Sequence, residues 1–156
     1  MPSAPVAGLG PSTGRGGRIL ASPSTFVLGR SEVIVVGIDG GGLDDLFGVV
    51  VLDRCRETKH WLGWAHAWCH QGVLERRQSI APRLLDFQQA VELTIVCDEL
   101  EDISEIVEIV ADINARDLLA SVAVDPAGIG ELIDALAAID VTQDGKQVIG
   151  ARKATR

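Results

Sequence analysis

No apolar run in this sequence approaches the roughly 18 residues that a membrane-spanning helix requires. Two arginines stand near the amino terminus, but no apolar h-region follows them, so no secretory signal is expected. Basic residues are outnumbered, and the formal net charge is −8. That balance excludes a surface given over to gripping nucleic-acid phosphates, which wants a basic face. It leaves room for an enzyme that holds phosphodiesters through metal ions, because such a site is itself acidic. Cysteine is scarce and odd in number: Cys55, Cys69 and Cys97 form no C-x-x-C pair, which fits a reduced, cytoplasmic setting. No internal repeat is visible.

What remains is an ordinary globular composition, 47% hydrophobic and 23% charged over 156 residues, enough for one domain with a real core. Residues 1 to about 30 are rich in Gly, Pro and Ser and lack periodicity, as in a flexible leader or linker. "EVIVVGID" (32–39) is β-branched and continuous, as in a strand buried on both faces. "LFGVVVLD" (46–53) and "KHWLGWAHAWC" (59–69) complete an antiparallel meander. A short helix over 79–90 tolerates Pro82 in its first turn, and "LTIVCD" (93–98) is a strand. In "EDISEIVEIVADINARD" (101–117), Ile103, Ile106, Val107, Val110 and Ile113 make one helical stripe. Glu101, Asp102, Glu105, Glu108 and Asp112 are expected to lie largely away from it. "SVAVD" (121–125) is a buried strand and "GIGELIDALAAI" (128–139) a helix, before a basic tail over 151–156. The order β-β-β-α-β-α-β-α predicts an α/β fold with a mixed sheet and helices packed on it.

The chemistry concentrates in "GIDGGGLDDLFGVVVLD", residues 37–53. Asp39 ends the first strand, and Asp125 ends a later one. Strand ends near a topological switch are where α/β sheets place their sites. If the two strands are neighbours, the carboxylates converge and offer the oxygen ligands that hard divalent cations prefer. Against this, an Asp before Pro, as at 125–126, is common in plain turns. Either Asp alone is more often a turn former; the pair, each after a β-branched run and each followed within three residues by Gly, favours a site. Asp45 opens the second strand and is a further metal candidate, while Asp44 is a weaker one. The glycines are not a P-loop, since no Lys-Ser or Lys-Thr follows, nor a dinucleotide fingerprint, since a strand follows them. His66, Cys69 and His70 cannot close a tetrahedral zinc site alone, because on a strand Cys69 faces away from the two histidines. An aromatic strand packed under a helix is the better account. Arg76 and Arg77 read as a solvated pair.

Two resemblances follow from these residues. "GIDGGG" is similar to the phosphate-binding hairpin of actin-like-superfamily sugar kinases, although Leu43-Asp44-Asp45 replaces the usual hydroxyl residue and adds repulsive carboxylates. An ATP-binding phosphotransferase is therefore the alternative reading, and a non-catalytic prophage remnant is a third. The longer resemblance spans roughly Ser31 to Val148. "RSEVIVVGIDGGGLDDLFGVVVLDR", "WAHAWCHQGVLERRQSIAPRLLDF" and "VAVDPAGIGELIDALAAIDVTQD" resemble, in order, the nuclease half of phage terminase large subunits. That resemblance implies a ribonuclease H-like fold over 31–150 and a two-metal-ion DNA endonuclease that cuts double-stranded viral DNA during packaging. It implies Mg²⁺ or Mn²⁺ as cofactor, two ions about 3.5–4 Å apart bridged by Asp39, with Asp125 holding one ion and Asp45 an additional metal residue. It implies the terminase small subunit and the portal as partners in the bacterial cytoplasm, and no membrane. The family's ATPase motor has no counterpart here, and its third metal aspartate falls beyond Arg156. A C-terminally truncated domain with impaired cleavage is the resulting expectation.

Overall fold

The computed structural model describes residues 28–40, 45–98, 100–125, 130–145 and 147–150. The expected leader (1–30) and tail (151–156) lie almost wholly outside them. The exceptions are residues 28–30, of which Leu28 is buried in the main core, so the fold reaches a little upstream of Ser31.

Among the described residues six strands form one sheet: β1 (Ser31–Gly40), β2 (Leu46–Cys55), β3 (Trp61–His70), β4 (Leu93–Val96), β5 (Leu119–Val124) and β6 (Val148–Gly150). Their spatial order is β4-β3-β2-β1-β5-β6. β1, β2 and β3 make the antiparallel meander. β5 then joins β1 in parallel, β4 joins β3 in parallel and β6 joins β5 in parallel. The mixed sheet expected from the element order is thus present. Two elements were not expected: β6, too short to show a pattern, and a six-residue helix directly after β3.

The helices are α1 (Gln71–Arg76), α2 (Ala81–Gln89), α3 (Glu101–Ala115) and α4 (Gly130–Ala137). α3 and α4 cover one face. Strand alternation sends Ile34, Val36 and Ile38 of β1, Phe47, Val49 and Val51 of β2, and Val122 and Val124 of β5 to that face. There they meet Ile106, Val110 and Ile113 of α3 and Leu132 and Leu136 of α4. On the opposite face α1 and α2 cover only the β3–β4 corner, burying Cys69, Val73, Leu84 and Leu93.

The expected polar face of α3 needs one correction. Asp102 is buried at 4% exposure, because it stands four residues before Ile106 and so extends the apolar stripe by one turn. Burial pushes its carboxyl above the ordinary aspartate value, and its Oδ1 accepts the Ile103 N–H at 2.7 Å.

Three helices end alike. Glu92 N–H donates to Phe87 O, Leu118 N–H to Ile113 O and Val141 N–H to Leu136 O. The residue before each donor, Val91, Asp117 and Asp140, has φ near +60°. This is the left-handed stop that glycine usually supplies. Here aspartate takes it twice and the β-branched Val91 once.

Candidate metal centre

Because β1, β3, β4, β5 and β6 all run the same way, their C-terminal ends share one edge of the sheet. α3 and α4 follow β4 and β5, so their N-termini face that edge as well. After β1 the chain moves outward through β2, β3 and β4, then returns to the other side of β1 as β5. The switch point therefore lies between β1 and β5, where an α/β sheet leaves a crevice for a site.

Asp39 and Asp125 flank that crevice. Ile38 pairs with Val124 in the parallel register, and the Asp125 N–H donates to the Ile38 carbonyl at 3.3 Å. Asp39 lies across from Gly48 on β2, which has no side chain to cover it. Both aspartates fall on the face opposite the main core and border a cleft of about 860 Å³. Its floor includes Gly37, Gly48, Ala65, Ala67 and Ala123, and Leu84 and Phe87 of α2 form one wall. Asp39 is exposed and Asp125 half-buried, so water reaches both.

The turn that delivers Asp39 depends on Gly40. Its φ is +87°, and a Cβ there would lie 1.9 Å from the Leu46 carbonyl oxygen. Only glycine lets β1 and β2 approach so closely at this point.

The other sequence candidates fall elsewhere. Asp45 is exposed, does not border the cleft, and commits Oδ1 to the Leu46 N–H at 2.9 Å. Asp44 lies outside the described residues. Among the described residues no group of three or more His, Cys, Asp or Glu side chains is placed to hold a metal ion. His66, Cys69 and His70 do diverge as the strand alternation required. His66 turns toward the main core, stacks on Trp64 at 5.7 Å, meets Trp68 edge-on at 4.6 Å, and pairs Nε2 with Thr94 Oγ1 at 2.8 Å. Burial pushes its pKa down, favouring the neutral ring. Trp68 Nε1 donates to Glu105 of α3 at 2.5 Å, so this is an aromatic strand fastened beneath a helix. Cys69 packs on the other face with Leu84 and Leu93. All three cysteines are free.

Glu92 is a cleft residue that pattern reading did not single out. It sits in the turn before β4, where nothing in the local sequence marks it. Asp39, Gly48, Ala67 and Leu93 are successive register partners across four strands. Three strand spacings of about 4.8 Å therefore separate the acid pair from this end of the cleft, too far for Glu92 to share an ion with Asp39.

The sheet order, with its switch point between β1 and β5, is that of a ribonuclease H-like α/β fold. A solved structure with the same fold is the crystal structure of the HK97 bacteriophage large terminase. The likeness has a TM-score of 0.54 and 21% sequence identity, and covers 78% of this chain. This chain spans only 25% of that one. No protein-family model matches the sequence, and no curated protein matches it. Among the described residues no helix is long and apolar enough to cross a membrane.

Proposed function

We propose that this chain is a terminase-type nuclease domain that hydrolyses double-stranded DNA with divalent metal ions. The observation that carries the reading is the adjacency of Asp39 and Asp125 at the switch point of a ribonuclease H-like sheet. The fold shared with a phage large terminase supports it.

The donor set fits a hard cation. Both groups are carboxylates, both are reached by water, and Mg²⁺ and Mn²⁺ keep several waters when one or two carboxylates bind them. Asp39 and Asp125 would hold the metal, which supplies Lewis-acid activation of water and of the departing oxygen. Asp45, with one oxygen turned to its own backbone, is an outer partner. Two carboxylates fix a pair of ions poorly, so cleavage is weak. It is better in Mn²⁺ than in Mg²⁺, which demands near-ideal octahedral geometry. The net charge of −8 opposes DNA approach over a Debye length of about 8 Å at physiological salt. In an intact packaging machine a motor, small subunit and portal would bring the DNA to the site.

Plasmid relaxation tests the reading, with the chain in Mn²⁺ or Mg²⁺ beside Asp39→Ala. Mn²⁺-dependent nicking that is lost in the variant is expected. Nicking that survives Asp39→Ala removes the assignment. ATP binding in calorimetry without DNA cleavage would replace it with the phosphotransferase reading.

A further inference from the structure

Positive charge is unevenly placed on this acidic chain. Among the described residues, Arg30, Arg54, Arg56, Lys59 and Arg116 stand where β1 and β5 begin and β2 ends, at the sheet edge opposite the candidate metal centre. Most are engaged there: Arg54 and Lys59 with Glu32, Arg116 with Asp112 at 3.0 Å, and Arg56 with the Ser31 carbonyl at 3.1 Å. The described lysines and arginines that remain, Arg76, Arg77 and Arg83, lie in the segment that joins the end of β3 to β4.

Of these three, Arg83 is tied to the cleft. Its Cζ lies over the Phe87 ring, 5.6 Å from the centroid, and Phe87 lines the cleft together with Leu84. Residues four apart share a helix face, so Arg83 stands one turn along α2 on the same side as Phe87. Both are exposed. The aromatic ring attracts the flat face of the guanidinium. That leaves the N–H groups in its plane, a fork whose geometry matches a phosphate. A trough runs from this wall to the metal centre. Asp39, Gly48, Ala67 and Leu93 are register partners across four strands, and Leu84 of α2 packs with Leu93. The row beside it is Ala123, Gly37, Val50 and Ala65. A Cβ at Gly37 would meet no atom within 4 Å, and one at Gly48 only the Asp39 backbone oxygen at 3.9 Å. Neither has positive φ, so the turn of the backbone does not require glycine at either place. Glycine inside a strand weakens it, and often marks a place where a ligand comes close.

We infer that Arg83, braced on Phe87, binds a backbone phosphate of the DNA lying in this trough, within about four nucleotides of the phosphate held at Asp39 and Asp125. The spacing follows from the sheet. Three strand spacings, about 14 Å, equal about four steps of 3.4 Å along a DNA strand. Charge makes the contact matter. Asp39, Asp125 and Glu92 border the cleft, and the chain carries −8 overall. Metal ions offset the acids at one end of the trough, and Arg83 supplies a fixed cation at the other. Two anchored phosphates set the direction of the strand across the sheet, which one anchored phosphate cannot do. The inference rests on the nuclease reading and adds to it the residue that orients the substrate.

The test uses the full chain and a short fluorescent DNA duplex, with anisotropy read across a salt series in Ca²⁺, a hard cation that takes oxygen ligands. Arg83→Gln should weaken binding about tenfold, the equivalent of about 1.4 kcal/mol. It should also reduce the slope of log K against log salt by about 0.9, the share of one phosphate contact. Arg83→Lys should restore the slope, because the charge is kept. Arg116→Gln removes the same charge at the opposite edge and should change neither quantity. Arg83→Ala serves as a second variant should Arg83→Gln fail to fold. The inference fails if Arg83→Gln lowers the melting temperature but binds with the wild-type affinity and slope, since Arg83 would then only brace α2. It fails if Arg116→Gln weakens binding equally, since net charge and not position would be at work, or if Arg83→Lys leaves the slope reduced. In each of these cases the nuclease reading stands, provided that Mn²⁺-dependent nicking is lost in Asp39→Ala. A wild-type chain that neither binds the duplex nor nicks plasmid removes that reading and this inference together.

Discussion

Replacing Gly40 by alanine should damage the fold far more than the same change three residues earlier. Gly40 has φ +87°, and an added Cβ would sit 1.9 Å from the Leu46 carbonyl oxygen. The left-handed backbone costs an L-residue about 1–2 kcal/mol. Relieving the clash means moving backbone against backbone, with strain of about 1–2 kcal/mol more. The sum, about 2–4 kcal/mol, corresponds to a drop in melting temperature of about 4–16 °C for a chain of this size. Gly37→Ala is the control. Its Cβ meets nothing within 4 Å and its φ is ordinary, so the melt should hold or rise, by up to about 1 kcal/mol. Thermal melts and urea titrations of both variants decide the matter, with m unchanged so that midpoints report stability alone. A Gly40→Ala protein that melts with the wild type would refute the geometric account of this turn. So would equal losses in both variants.

Three other outcomes are expected. Val91→Gly should stabilise the chain by about 1 kcal/mol, because φ +60° strains a β-branched residue at the end of α2; chemical denaturation checks it. Leu28→Ala should cost about 2–4 kcal/mol, since Leu28 is buried in the core, whereas deleting residues 1–27 should barely move the melt. Asp53 is fully buried, and burial raises its pKa above 3.8 despite the opposing influence of Ser31 and Arg30. The native state then holds the proton longer than the unfolded chain, so stability falls as pH rises from 3.8 through the folded value and stays lowered above it. Asp53→Asn should match the wild type at low pH and exceed it at pH 7 in urea titrations; the reverse order would contradict the assignment.

Much of the architecture was legible because it is written in short-range patterns. Continuous β-branched runs marked β1, β2 and β5, and the 3–4 spacing of Ile103, Ile106, Val110 and Ile113 marked α3. Strand alternation alone separated Cys69 from His66, so that His66, Cys69 and His70 cannot close a tetrahedral zinc site by themselves. The β-branched runs that end in Asp39 and Asp125 placed both acids at strand ends. α1 and β6 escaped notice because six and three residues hold too little periodicity to read.

Some features were decided only by long-range pairing. That β5 returns beside β1, making neighbours of residues 86 positions apart in the chain, is a property of sheet order, which local propensity does not encode. The burial of Asp102 depends on α3 lying where its first turn meets the sheet, so a residue assigned to the polar side by type was enclosed by position. Glu92 reached the cleft through a turn held by α2, and the small residues Gly37, Gly48, Ala65 and Ala123 became one hollow only when four strands set them in register. The sequence by itself determined which segments are strands and helices and which face each side chain takes, because those follow from periods of 2 and 3.6 residues. The tertiary structure decided which acids stand on neighbouring strands and which apolar face remains open among the described residues, because both depend on contacts between segments far apart in the chain.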